Sequence, residues 1–126
     1  MPAPTIADRL KRRFILLTTD ADMVARLRQA LSAGWEMMVV RDLDEIGGWH
    51  DILLYRFVLM DLDEAEAFDP KAIMQRLRME YQLNIAVFCF GGNPGLRETL
   101  RLMRADRFFE RDEIAEKLPL FLEKYS

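Results

Sequence analysis

Short continuous apolar runs, set between amphipathic segments, organise this chain. Phe14-Ile15-Leu16-Leu17 is the first and stops at Thr18-Thr19-Asp20. Glu36 to Val40 is the second, Phe57 to Met60 the third, Ile85 to Phe90 the fourth, and Arg107-Phe108-Phe109 a weaker fifth. Unbroken apolarity over so few residues, in place of alternation, suits strands covered on both faces.

The intervening segments carry helical spacing. Met23, Leu27, Ala30 and Leu31 share a face behind caps at Asp20 or Asp22. Asp69-Pro70 predicts an N-cap with proline at the first helical position, ahead of Ile73, Leu77 and Tyr81. Asn93-Pro94 repeats that signal before Leu96, Leu100 and Met103. Asp112 is the cap expected for a last helix with Ile114, Leu118 and Phe121 inward, kinked or restarted at Pro119. Between the second and third runs, Leu43, Ile46 and Trp49 suit a helix, but Gly47 and Gly48 each cost it about 1 kcal/mol relative to alanine.

The result is β-α repeated five times. It predicts an α/β fold of flavodoxin type, a five-stranded parallel sheet sandwiched between helices. Residues 1–13 are the expected lead-in and residues 14–126 the domain. In such folds ligands bind beyond the carboxyl ends of the strands. Asp61 ends the third run, at that position.

Composition narrows the classes. The chain has 126 residues, 51% of them apolar, enough for one domain with a core. A net charge of −3 with 31% charged residues describes an ordinary surface and disfavours a nucleic-acid binder. The single cysteine, Cys89, excludes an internal disulfide and fits a reducing compartment. Arg56 interrupts the longest apolar stretch, Ile52 to Met60, far short of a membrane span. Met1 to Arg13 lacks the apolar stretch of a secretory signal. The expectation is a cytoplasmic single-domain protein or an excised domain, without membrane contact.

The residues at the strand ends carry a resemblance. Thr18-Thr19-Asp20 follows the first strand, Asp61 ends "FVLMD", Cys89 lies 28 residues later on the fourth, and Arg111 a further 22 on, in "RADRFFERDE". From about Phe14 to Tyr125 the chain resembles a response-regulator receiver domain of two-component signalling. The resemblance implies strand order 2-1-3-4-5. It implies Asp61 as phosphoacceptor, an acid pair after the first strand for Mg²⁺, a hydroxyl at Cys89, a lysine at Arg111 and an aromatic switch at Phe108. "RADRFFERDE" is similar to the family's "GADDYLTKPF", with Arg104 where glycine is usual.

At least three of the five signature positions depart from the family. Thr18 and Thr19 stand where the acid pair belongs, and Mg²⁺ needs hard anionic oxygens. Asp20 and Asp61 are at most two carboxylates for it. A thiol is a poor hydrogen-bond donor, and Arg111 is a planar fork in place of a compact ammonium. "LDEAEAFD" after Asp61 brings Asp63, Glu64 and Glu66, which repel an incoming phosphoryl donor. The pattern is that of a degenerate, or pseudo-, receiver.

Three roles stay open for Asp61: a structural carboxylate that caps a turn or pairs with Arg111, a phosphoacceptor, or a metal ligand. "FGGNPG" after Cys89 lacks the lysine and hydroxyl of a phosphate loop. Cys89 reads as a buried structural cysteine, and one His with one Cys does not make a zinc site. Arg97, Arg101 and Arg104 form a helical stripe that continues to Arg107 and Arg111. In receivers the face of the fourth helix, fifth strand and last helix mediates dimerisation or output, so a protein partner or a second copy is expected there; a solvated face is the alternative. The functional expectation is a regulatory protein-interaction module, not an enzyme, independent of phosphorylation and requiring no cofactor. A working receiver, served by a histidine kinase and Mg²⁺ on Asp20 and Asp61, is the alternative. A small flavodoxin-like enzyme or ligand-binding domain is a third.

Overall fold

The computed structural model describes residues 10–64 and 66–126. Five strands, β1 (Arg12–Leu17), β2 (Trp35–Val40), β3 (Phe57–Asp61), β4 (Ala86–Phe90) and β5 (Arg107–Phe109), form one parallel sheet. Their order is β2-β1-β3-β4-β5, as expected for a flavodoxin-type fold. Of the expected lead-in, residues 1–9 lie outside the described residues. Arg12 and Arg13 belong to β1, because their backbone pairs with Trp35 and Glu36 although the side chains are not apolar.

Neighbouring residues on each strand feed opposite faces, as a period of two requires. Phe14, Leu16, Phe57, Leu59, Phe88 and Phe90 pack under α1 (Ala21–Gln29) and α5 (Ile114–Lys124). Ile15, Leu17, Val58, Met60, Val87 and Cys89 pack under the other helices. These are the short α2 (Trp49–Ile52), α3 (Pro70–Gln75, extended by a wider π turn over Arg76–Glu80) and α4 (Pro94–Leu102). The first core is aromatic, with Phe14 and Phe57 stacked at 4.6 Å; the second is aliphatic. Each fully buried Leu or Phe contributes roughly 1.5–3 kcal/mol, which fixes the sheet as the rigid platform for the loops at its ends.

Three predicted caps form. Asp20 accepts from the Asp22 and Met23 amides, Asp69 from Lys71, and Asn93 from Leu96. Other expectations need correction. The segment between β2 and β3 splits into a 3-10 turn at Leu43–Glu45 and α2, because Gly47 takes a φ of 133°. Trp49 is 52% exposed and does not join the core. Asp112 caps nothing; the Glu113 carboxylate instead accepts the Glu110 amide ahead of α5. Helix α5 runs through Pro119 without interruption. Among the described residues no helix is long and apolar enough to cross a membrane.

Candidate functional site

The loops after β1, β3, β4 and β5 meet at one end of the sheet, and Asp61 lies at their centre, 0% exposed. Its Oδ2 accepts the Thr18 hydroxyl at 2.8 Å. Its Oδ1 accepts the Asp63 amide at 3.0 Å and Arg111 Nη1 at 2.7 Å. Both oxygens are therefore engaged. Thr18, itself buried, also accepts the Asp20 amide at 3.1 Å, so one hydroxyl joins the Asp61 carboxylate to the start of α1.

Arg111 reaches three carboxylates. Nη1 bonds Asp61 and, at 3.0 Å, Asp63; Nη2 bonds Asp20. Its guanidinium also lies over the Phe90 ring, with Cζ 5.5 Å from the centroid. Burial works against the charge on Arg111, but the hydrogen bonds to Asp61 and Asp20 more than reverse this and raise its pKa. The amide of Met23 and then the Arg111 guanidinium hold the Asp20 carboxyl below its ordinary range.

Asp63, which from sequence is only a repelling acid, is a member of this network. Its Oδ1 accepts the Gly92 amide at 2.9 Å. A Cβ at Gly91, whose φ is 73°, would come within 2.1 Å of Asp63 Oδ2. Gly91 thus makes room for a carboxylate, while a Cβ at Gly92 would meet Leu62 at 2.7 Å. Thr19 donates to Glu64 at the rim. Among the described residues, no three His, Cys, Asp or Glu side chains group in a way that could hold a metal ion.

Cys89 is not brought into the pocket. In the sheet register it lies beside Met60, while Asp61 lies beside Phe90, so the thiol points into the aliphatic core. Burial pushes it up to about 12, which leaves no thiolate for chemistry at neutral pH. Phe108 is half-buried and packs on the same aliphatic core. His50 meets Asp51 at 3.6 Å on the surface and takes no part.

The predicted arginine stripe breaks up. Arg97 turns down to the strand ends, with Nε on the Gly91 carbonyl at 2.7 Å, Nη2 on Phe109 at 3.0 Å and Nη1 on Glu110 at 3.1 Å. Arg101 pairs with Glu98 one turn earlier. Arg104 lies past the end of α4, in a left-handed turn at φ 74°. Arg104 and Arg107 remain exposed, the latter over the Phe109 ring at 4.9 Å. Near them Leu102 is 71% and Leu120 61% exposed. Sequence reasoning also misses Arg78, which is buried at the opposite end of the sheet and holds the carbonyls of Leu83, Ile85 and Arg104 together with Asp106.

No protein-family model matches the sequence, and a search of curated proteins finds no match. Solved structures do match. A response regulator in red light signalling of R. palustris superposes with a TM-score of 0.66 at 13% identity, covering 87% of this chain and 90% of that one. The phosphorylated cyanobacterial phytochrome response regulator RcpA gives 0.68 at 12%, covering 90% and 93%. A de novo designed Rossmann 2x3 fold protein gives 0.65 at 12%, covering 93% and 94%. The likeness establishes a receiver-like fold. A designed protein among these neighbours shows why a shared fold at such identity carries no function with it.

Proposed function

We propose that this chain is a signalling or regulatory protein-interaction module on a receiver-like fold, with its Asp61 pocket closed to phosphorylation. The observation that carries this reading is the state of Asp61: fully buried, with Thr18 on one oxygen and Arg111 and the Asp63 amide on the other. An attacking carboxylate needs a free oxygen in line with the incoming phosphorus. Here a threonine and an arginine hold both. The rim acids Asp63 and Glu64 add repulsion toward an anionic donor.

The working surface is then the exposed face of α4, β5 and α5, where Leu120 lies beside Arg107 and Lys124, and Leu102 is exposed next to Arg101 at the end of α4, just ahead of Arg104. A protein partner or a second copy with an acidic, partly apolar face suits it, with charge setting register and association rate. The reading as a non-enzyme rests on the buried Cys89 thiol and on a pocket that is filled with its own side chains.

The alternative is a phosphoacceptor that Arg111 must vacate, with a histidine kinase as donor. Only the placement of Asp61 at the end of β3 favours it. Amide NMR spectra recorded with Mg²⁺ and beryllofluoride, a mimic of an aspartyl phosphate, separate the two. Unchanged Thr18, Asp61 and Phe108 signals are expected; saturable shifts spreading from Asp61 to Phe108 would establish the alternative. Arg104→Glu with Leu120→Asp is expected to weaken association with a partner or a second copy by about tenfold or more.

A further inference from the structure

The Asp61 pocket also has a distinct way of balancing its charge. Asp20, Asp61 and Asp63 come from the loops after β1 and β3, and carboxylates held this close repel unless a cation stands among them. In receivers, the resemblance implies, that cation is Mg²⁺. Here each carboxylate instead bonds Arg111, from the loop after β5.

We propose that the Arg111 guanidinium is the resident cation of this pocket, a tethered substitute for a divalent ion that closes the three loops on one another without metal. With Arg111 in place, the donors are arranged around a guanidinium and do not converge on an ion. A divalent cation needs oxygen lone pairs converging on one point. A guanidinium spreads its N–H groups around the edge of a plane, and Asp61 and Asp63 share one nitrogen while Asp20 takes the other. Asp20 Oδ1 is also committed to two amides of α1, and Asp61 Oδ2 to Thr18.

Two features outside the acid cluster point to the same occupant. The Phe90 ring lies beneath the guanidinium, a contact that suits a weakly hydrated planar cation and not a hydrated metal ion. Gly91, held at positive φ, leaves open the space that Asp63 Oδ2 uses to reach Arg111. The pocket is shaped on both sides of the fork.

The test compares the wild-type chain with Arg111→Met and Arg111→Lys, each in chelator and then in millimolar Mg²⁺. Mn²⁺ broadening of the amide signals from Thr18 to Asp22 and at Asp61 and Asp63 serves as a second readout. The wild type is expected to keep one Tm throughout and to show no site-specific broadening. Arg111→Met is expected to melt lower and to regain about 4 °C with Mg²⁺, with local broadening by Mn²⁺. Arg111→Lys, still charged but a single point donor, is expected to fall between the two.

Saturable broadening of the wild-type pocket would overturn the proposal. So would an Arg111→Met variant that loses stability and gains nothing from Mg²⁺, since Arg111 would then be an ordinary ion pair. If the methionine variant does not fold, the wild-type and lysine measurements decide: a lysine variant insensitive to Mg²⁺ and equal to wild type overturns it. These measurements use no beryllofluoride and no partner, so the signalling reading stands or falls separately, on the beryllofluoride spectra and the interface substitutions.

Discussion

At the carboxyl end of the sheet Arg111, 31% exposed, holds three carboxylates; at the amino end Arg78, 5% exposed, holds three main-chain carbonyls and one carboxylate. Both side chains tie together segments far apart in sequence. Arg78 joins α3 to the approaches of β4 and β5, and Asp106 passes the tie on by accepting the Val87 amide at 2.7 Å. Their acceptors make the difference. Carbonyls sealed under a buried side chain have no other donor within reach. Carboxylates at a partly open pocket can be served by water, by ions or by another cation. One arginine is therefore part of the frame, and the other occupies a place where chemistry is possible.

The largest expected effect follows from the buried member. Arg78→Met keeps the apolar stem but strands the carbonyls of Leu83, Ile85 and Arg104, and should cost about 3 kcal/mol in urea unfolding. A loss below about 1 kcal/mol would mean that water replaces the guanidinium, and the contrast would fail. Arg111→Met should cost less, about 2 kcal/mol, because Thr18 and the Asp63 amide still serve Asp61. Its deficit should shrink as salt or Mg²⁺ is added, while that of Arg78→Met should not. Equal salt response in the two variants would erase the distinction.

Legibility in the sequence divides along similar lines. The strands and the caps at Asp20, Asp69 and Asn93 are readable because each depends on local pattern, whereas the strand order follows only from the resemblance. Pairing of Asp61 with Arg111 is one of the roles the sequence leaves open for that carboxylate, and the structure contains that pair. The arginine stripe was misread for two reasons: α4 ends at Leu102, before the third arginine, and Arg97 is long enough to fold back onto the strand ends. Arg78 left no signal at all. On a regular helix it reads as surface charge, and its inward turn accompanies the wider π winding over Arg76–Glu80. Cys89 reads from sequence as a buried structural cysteine and is one, but its place in the pocket fails because the sheet register sets it beside Met60, in the core, while Asp61 lies beside Phe90.

Arg104 gives a smaller effect of opposite sign beside the buried tie. It stands where the resembled family has glycine, and its φ of 74° is the conformation that glycine adopts freely. Its carbonyl is one of the acceptors of Arg78, so the turn is held in place from below. Arg104→Gly keeps that carbonyl and removes the left-handed penalty, and should raise stability by about 1 kcal/mol. If the gain vanishes in an Arg78→Met background, the strain is imposed by the buried arginine. If it persists, the turn is fixed by the chain ends alone.

The smallest effect separates the two ends by pH. Asp20 has its folded pKa lowered from an ordinary value of 3.8, first by the Met23 amide and then by Arg111. A depressed carboxyl contributes stability that is fully present above the unfolded value and is lost as pH falls through the folded one. Asparagine caps a helix about as well as aspartate, so Asp20→Asn removes mainly the charge that faces Arg111. The deficit at neutral pH should be about 0.5–1 kcal/mol, since water and salt screen a side chain this open. It should begin to close as pH drops below 3.8 and vanish only once pH has fallen through the lower folded value, where the wild-type carboxyl also becomes neutral. The three carbonyls that Arg78 holds do not titrate, so most of the Arg78→Met deficit should survive the same descent. The absence of a gap for Asp20→Asn at neutral pH would show that the carboxylate acts only as a cap, and that Arg111 draws its hold from Asp61 and Asp63.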